Sequence, residues 1–252
     1  MITLKSPREV ACMRRAGRLA AQARRLAGSM VRPGVSTLEI DEAVRSYLEG
    51  QGARPSFLGY GGFPGSACIS VNDVVIHGIP SKQVVLREGD LVSVDVGACV
   101  DGFHGDCAAT FACGEISAEA RRLMEVTERS FWQGIQMARV GQRVSDISHA
   151  VQQYVEANGY SVVRDFVGHG VGAKLHEAPE VPNYGPAGRG ARLQPGMTLA
   201  VEPMVCQGDW HVRVLEDRWT TVTQDGSLAA HYENTILITQ GEPEVLTVCE
   251  DG

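Results

Sequence analysis

The chain has 252 residues, 44% of them apolar and 21% charged, and a formal charge of −7 from 23 basic and 30 acidic side chains. That composition supplies a sizeable core for one large domain or two small ones, which excludes disorder, and the acidic balance argues against a dedicated nucleic-acid binder. No apolar run reaches the roughly eighteen residues of a membrane span, residues 1–30 lack the apolar stretch of a secretory signal, and seven cysteines without a C-x-x-C pair read as free thiols of a reducing cytosol.

Ser6-Pro7-Arg8-Glu9 is a capping box with proline at the first helical position, and it predicts a helix to about Gly28. Met13, Ala16, Ala20, Ala23 and Ala27 recur at helical spacing and mark its buried face. Residues 1–35 hold eight bases and one acid. They read as a solvated helix face, with a contact to an anionic partner such as ribosomal RNA as the sharper alternative. Arg32-Pro33-Gly34 is a stop, and Ser36-Thr37-Leu38-Glu39 opens a second helix ending near Gly50. The glycine-rich stretch 59–65 is a loop. Short strands are expected at 67–70 and 74–77, and a buried strand at 92–96. Helices at 118–138 and 145–157 follow. Strands are then expected near Val162, at 198–201, and as a final pair within 212–222 and 233–239. Mixing without strict alternation points to an α+β fold on a largely antiparallel sheet.

The chain also matches itself. Shifted by 107 positions, Arg32, Gly34, Ile40, Ala43, Val44, Tyr47, Glu49 and Gly52 meet Arg139, Gly141, Ile147, Ala150, Val151, Tyr154, Glu156 and Gly159. The same shift lays Gly89, Val94 and Asp95 on Gly196, Val201 and Glu202. A longer one lays His104-Gly-Asp106 on His231-Tyr-Glu233. The expectation is one domain, 1–252, of two similar halves, about 1–110 and 111–252, whose acids face one another across a pseudo-twofold axis.

Asp95, Asp106, Glu202 and Glu233 sit at strand positions among apolar neighbours. An unpaired carboxylate there costs several kcal/mol or takes up a proton. Salt bridges would need four buried cations, and no Lys or Arg shares those strands. A pair of divalent ions satisfies all four, and such a pair polarises a carbonyl and activates water. His169 is flanked by glycines that let backbone and ligand approach closely. His176 and His77 also adjoin glycine or an apolar strand near the acids. His104, His149, His211 and His231 keep the ordinary reading of core or surface histidines. The G-x-G-x-x-A pattern at 168–173 imitates a dinucleotide fingerprint, but Pro179, Pro182 and Pro186 break the helix that the fingerprint requires.

Asp95, Asp106, His169, Glu202 and Glu233, in these contexts and this order, resemble the five metal ligands of the methionine aminopeptidases. Val75-Ile-His77-Gly-Ile-Pro80, Asp95-Val-Gly97 and Val201-Glu-Pro203-Met204 resemble the type I form. The resemblance implies the pita-bread fold, with a curved, largely antiparallel sheet covered by helices, and removal of the initiator methionine from nascent chains with a small second residue. It implies two divalent metal ions (Co, Mn, Fe, Zn or Ni) and a structural monovalent cation near Asn72, Val74 and Ala229. Asp95 would chelate one metal, Asp106 and Glu233 would bridge both, and His169 and Glu202 would bind the second. Glu202 would accept the proton of the attacking water. His176 would hydrogen-bond the substrate carbonyl or the tetrahedral intermediate, and His77 would contact the scissile amide. Phe57, Tyr60, Phe63, Cys68, Leu175 and Trp219 would form the methionine pocket. There Phe57 stands where a small Cys is common in relatives, Leu175 where Phe is common, and Gly61 where some carry His. The partner implied is the N-terminus of a nascent polypeptide; the basic helix adds ribosome contact as its sharper alternative, and composition argues for neither DNA nor a membrane. A cytoplasmic monomer and a minimal catalytic domain are expected.

Overall fold

The structure is a computed structural model and describes residues 2–249. Helix α1 (Pro7–Met30) starts where its capping box predicts. The Ser6 side chain accepts from Glu9 N–H, and Ser6 N–H donates to the Glu9 carboxylate at 2.7 Å. Met13, Ala16, Ala20, Ala23 and Ala27 are fully buried, so the small-residue face lets the helix lie close to what it covers. The same device at Ser36 and Glu39 opens α2 (Thr37–Gly50). Helices α3 (Ala118–Ile135) and α4 (Val144–Ala157) pack on each other. The end of α3 falls short of the predicted 138 because its last turn tightens: Met137 N–H donates to Gly134 O and Ala138 N–H to Ile135 O.

Fifteen strands are described. They are β1 (Arg54–Pro55), β2 (Ala67–Val71), β3 (Val74–Ile76), β4 (Leu91–Val100), β5 (Phe103–Ala112), β6 (Ser161–Val162), β7 (Gly168–Gly170) and β8 (Glu177–Val181). The rest are β9 (Thr198–Val201), β10 (Met204–Cys206), β11 (Val212–Val214), β12 (Thr221–Thr223), β13 (Ala229–His231), β14 (Glu233–Leu237) and β15 (Glu244–Val245). The main sheet runs β1-β4-β5-β14-β9-β7-β8, with β2 also on β4 and β15 also on β14. Two three-stranded sheets, β13-β10-β6 and β11-β12-β3, flank it. This arrangement is an α+β architecture, and the pairs that carry the site are antiparallel.

The predicted strand at 92–96 is the middle of a long hairpin. β4 and β5 pair over ten residues each, closed by Asp101-Gly102 with both residues at positive φ (50° and 82°). That is the two-residue turn whose twist matches antiparallel strands, and Asp-Gly is its sequence signal. Helix α1 crosses this hairpin at closest approach beside the site. A Cβ on Gly105 would stand 2.5 Å from Gly17 N, so only glycine lets the helix backbone rest on the strand next to Asp106. The proline-rich stretch after His169 holds no helix, as expected, but it does contain a strand: Pro179 lies within β8, at the end of the sheet order, where a missing N–H is tolerated.

The basic face of α1 is largely solvated, as expected: Arg14 and Arg15 are exposed in surface ion pairs, while Lys5 and Arg24 are drawn inward. Lys5 Nζ is buried 2.6 Å from Glu177 Oε2, Arg14 forks onto Glu244 at 2.6 and 2.7 Å, and Arg15 meets Asp101 at 2.7 Å. Arg24 turns inward to backbone carbonyls of the sheet. Arg8, Arg25 and Arg32 remain exposed. Among the described residues, no helix is long and apolar enough to cross a membrane.

Candidate metal centre and pocket

Register carries the acids to one place. Asp95 on β4 faces Ala108 of β5, which in turn faces Glu233 of β14. Asp106 on β5 faces Gly97. His169 on β7 faces Ala200 of β9, two residues before Glu202. Threonines lace the junction between β5 and β14: Asp106 N–H donates to Thr235 Oγ1 at 3.0 Å, and that hydroxyl donates to Asp106 O at 2.9 Å. Asn183 Nδ2 donates to Glu202 O at 3.0 Å.

Asp106, His169 and Glu233 are buried and offer ligand atoms within 4.8 Å of one another. His169 Nε2 lies 3.6 Å from Glu202 Oε1 and 3.8 Å from Asp106 Oδ2. Its Nδ1 is 2.9 Å from Gly170 O, which fixes that nitrogen as the protonated one and leaves Nε2 with its lone pair toward the carboxylates. Burial holds the imidazole neutral, its pKa down to about 3. Burial also pushes the acids up. Asp106 rises to about 7, and Asp95, Glu202 and Glu233 go well above the carboxylate range, with Asp106's charge adding to the effect of burial in all three. Asp95 Oδ1, Asp106 Oδ1 and Glu233 Oε1 are buried without a hydrogen-bond partner. Four crowded carboxylates, orphaned oxygens and a neutral imidazole fit first-row divalent cations.

These acids form the floor of a cavity of about 180 Å³. All thirteen site residues predicted from the sequence line it: Asp95, Asp106, His169, Glu202 and Glu233, then His77 and His176, then Phe57, Tyr60, Phe63, Cys68, Leu175 and Trp219. Phe57, Phe63, Cys68 and Leu175 are buried together as one apolar cluster against Trp219. A Cβ on Gly97 would lie 2.8 Å from the Phe57 ring, so the glycine opposite Asp106 makes room for the large residue at 57. Because Phe57 and Leu175 share this cluster, their volumes should compensate. Leu175→Phe alone is expected to cost about 1–3 kcal/mol by overpacking. Adding Phe57→Cys should recover part of that, read as non-additive unfolding midpoints in urea; strict additivity would refute the compensation.

The two further histidines are set differently. His77 follows β3 with φ +57°, a conformation costly for a residue with a Cβ. Its ring stands edge-on to Phe166 and Trp219, and burial lowers its pKa to about 4. His176 is exposed, stacked on Tyr60 and 4.1 Å from the His169 ring, and its Nδ1 is 2.9 Å from Tyr60 Oη. Its Nε2 is the nitrogen left to meet a ligand. Tyr60→Phe should therefore reduce kcat by up to about 10²-fold through misorientation, with little change in bound metal; an unchanged kcat would show that the hydroxyl does not hold the ring.

Three parts of the site went unread in the sequence. Ile76, Phe166 and Val167 complete the wall; their apolar character carries no functional mark. Arg24 Nη1 donates to Ala108 O and Glu233 O, both at 3.0 Å, and to Asn234 Oδ1 at 3.2 Å. The cation sought on the acids' own strands thus comes from α1 and takes the backbone rather than the carboxylates. His231, read as an ordinary histidine, is buried beside Glu202 and Glu233. Its position two residues before Glu233 was the available signal.

Buried carboxylates and a neutral imidazole beneath an apolar pocket define a candidate metal centre of the kind that hydrolyses. The profile of metallopeptidase family M24 matches residues 11–240. A methionine aminopeptidase of Clostridium acetobutylicum is 53% identical over 250 residues, which cover 99% of this chain and all of that one. Methionine aminopeptidase 1 of Bacillus subtilis is 50% identical over 247 residues, 98% of this chain and 99% of that one. The crystal structure of methionine aminopeptidase from Thermotoga maritima superposes with a TM-score of 0.97 at 46% identity, covering 99% of this chain and 100% of that one. The prolidase of Pyrococcus furiosus shares the fold, with a TM-score of 0.77 at 22% identity over 98% of this chain and 66% of that one. The chain belongs to metallopeptidase family M24 and, within it, to the methionine aminopeptidases, with their pita-bread fold.

Proposed function

We propose that this chain hydrolyses the first peptide bond of polypeptides that begin with methionine and have a small second residue. The observation that carries the reading is the single cavity in which an apolar wall of Phe57, Phe63, Leu175 and Trp219 meets a floor of four carboxylates and His169. At about 180 Å³ it is smaller than the roughly 300–1,000 Å³ of drug-sized sites and matches one side chain. Methionine, unbranched and polarisable, fits such an aromatic-walled space.

Asp95, Asp106, His169, Glu202 and Glu233 would hold two divalent ions from among Co, Mn, Fe, Zn and Ni. Bound there, the ions supply Lewis acidity to the scissile carbonyl and make water a nucleophile near neutral pH. Glu202 takes the proton that the attacking water gives up and passes it to the departing amine. His176, oriented through Tyr60, donates from Nε2 to the carbonyl oxygen as charge develops on it. His77, neutral at pH 7, contacts the scissile amide. The free α-amine would bind near the metals at the floor of the cavity, which restricts cleavage to the chain's end.

The two halves about 1–110 and 111–252 form one catalytic domain in this reading, and the enzyme acts as a cytoplasmic monomer on nascent chains. Ribosome contact through α1 would fall to its exposed arginines, among them Arg8, Arg25 and the surface-paired Arg14 and Arg15, since Lys5 and Arg24 are engaged within the protein. The test is release of methionine from Met-Ala-Ser by metal-free protein titrated with Mn²⁺, Fe²⁺ and Co²⁺, beside an Xaa-Pro peptide. Metal-dependent release from the first peptide alone is expected. Cleavage of the Xaa-Pro peptide instead, or of neither by folded protein, would overturn the reading.

A further inference from the structure

His231 ends β13, and the register of β13 on β10 sets it opposite Met204, two residues from Glu202. Its backbone is clamped from both sides by one hydroxyl: His231 N–H donates to Thr110 Oγ1, which donates to His231 O, each at 2.9 Å. The ring is buried, 2% exposed, and Nε2 has no hydrogen-bond partner. A buried imidazole nitrogen left unpaired costs free energy that a stable fold does not spend without return.

That nitrogen stands 3.8 Å from Glu202 Oε2 and 3.9 Å from Glu233 Oε2. Both distances exceed those of a hydrogen bond. They match the spacing on the other side of Glu202, where Oε1 stands 3.6 Å from His169 Nε2. Donors around an ion with bonds of about 2.1 Å lie about 3–3.5 Å apart, so both spacings need only a small closure to share a cation. Glu202, His231 and Glu233 offer three ligand atoms within 4.8 Å of one another, as tight a group as Asp106, His169 and Glu233. Each of the two groups has one imidazole, and Glu233 belongs to both.

We propose that His231 is a further nitrogen ligand of the metal centre, completing with Glu202 and Glu233 a site for a first-row divalent cation. The inference rests on the metal centre of the preceding reading but not on its peptide substrate. His231 does not line the methionine cavity; it lines a separate one of about 280 Å³ with Glu125, Glu128 and Tyr232. It therefore reaches the ions from the side away from the substrate. A second imidazole also shifts the donor set from hard oxygen toward the nitrogen that Fe²⁺, Co²⁺ and Zn²⁺ favour over Mn²⁺.

The test counts coordinated imidazoles directly. In the full chain loaded with two equivalents of Co²⁺, each ligating histidine gives a strongly shifted, solvent-exchangeable ring N–H resonance in the proton spectrum. Two such resonances are expected for the native protein and one for His231→Gln. One resonance in the native protein overturns the proposal without recourse to any variant. Calorimetry gives the second readout: His231→Gln should weaken Co²⁺ at one site by about 10–100-fold and Mn²⁺ by less. Equal affinities in variant and native protein would also overturn it. Because neither measurement uses a peptide, failure of methionine release would strike the proposed function and leave these outcomes unaffected.

Discussion

Glu202→Gln is expected to lower kcat by about 10²–10⁴-fold at saturating metal, the range for loss of a positioned acid or base. Glu202 follows β9 directly, and its backbone is fixed by Asn183 and by Pro203. One carboxylate oxygen faces His169 and the other His231. Burial and the neighbouring charge of Asp106 raise its pKa well above the carboxylate range in the metal-free protein. Glutamine keeps the shape and one neutral oxygen donor but cannot take a proton. Two roles are thereby separable. A residue that only binds metal loses affinity, and excess Mn²⁺ restores kcat. A residue that moves the proton leaves kcat low however much Mn²⁺ is added. Recovery of native kcat with excess ion would remove Glu202 from proton transfer and leave it a ligand.

The parts of this molecule legible in its sequence are those whose cause is local. The capping boxes at Ser6 and Ser36 name their helices because the same four residues both write and satisfy the cap. The apolar stripe from Met13 to Ala27 is buried throughout because helical period alone decides it. Strands of two or three residues, such as β7, β10 and β13, are too short to show alternation and exist through pairing with distant partners. The β4–β5 hairpin was written in Asp101-Gly102, yet its length followed from the partner strand rather than from residues 92–96. In the candidate site, carboxylates among apolar neighbours are anomalous in one dimension, so Asp95, Asp106, Glu202 and Glu233 stand out. Arg24 and His231 do not: an arginine on a basic helix and a histidine near a strand end are ordinary until the fold turns them inward. Helical spacing sets Arg24 four residues after Ala20 and three before Ala27, on the buried face, and Arg25 off it, but nothing local names the carbonyls that Arg24 reaches.

Metal binding should release protons, and its apparent affinity should rise steeply with pH. Without metal, burial raises Asp106 to about 7 and pushes Asp95, Glu202 and Glu233 above the carboxylate range, so the folded cluster holds protons more tightly than free carboxylates do. A divalent ion needs those oxygens ionised. His169, already neutral with its pKa near 3, adds nothing to the count. Each proton displaced makes affinity rise by up to about tenfold per pH unit, so release of two gives up to about 10⁴-fold between pH 6 and 8. Calorimetry of Mn²⁺ binding in buffers of different ionisation enthalpy reads the proton number; a count of zero with flat affinity would refute the buried-acid account. The same shifts fix the stability of the metal-free protein. The unfolded chain loses its carboxyl protons well below neutrality and its imidazole protons around pH 6.5, while folded Asp106 titrates at about 7, so the acids' contribution to stability falls as pH rises through that value. Below that pH, His77, His104, His169 and His231, held neutral by burial with values of about 3 to 4, favour the folded state at higher pH and oppose the acids. The window that isolates the carboxylates therefore begins about one pH unit above the free imidazole value, at about pH 7.5, and runs to about 8.5. Across it the unfolding temperature of metal-free protein should decline, and saturating Mn²⁺ should abolish or reverse the decline by removing the protons whose loss caused it.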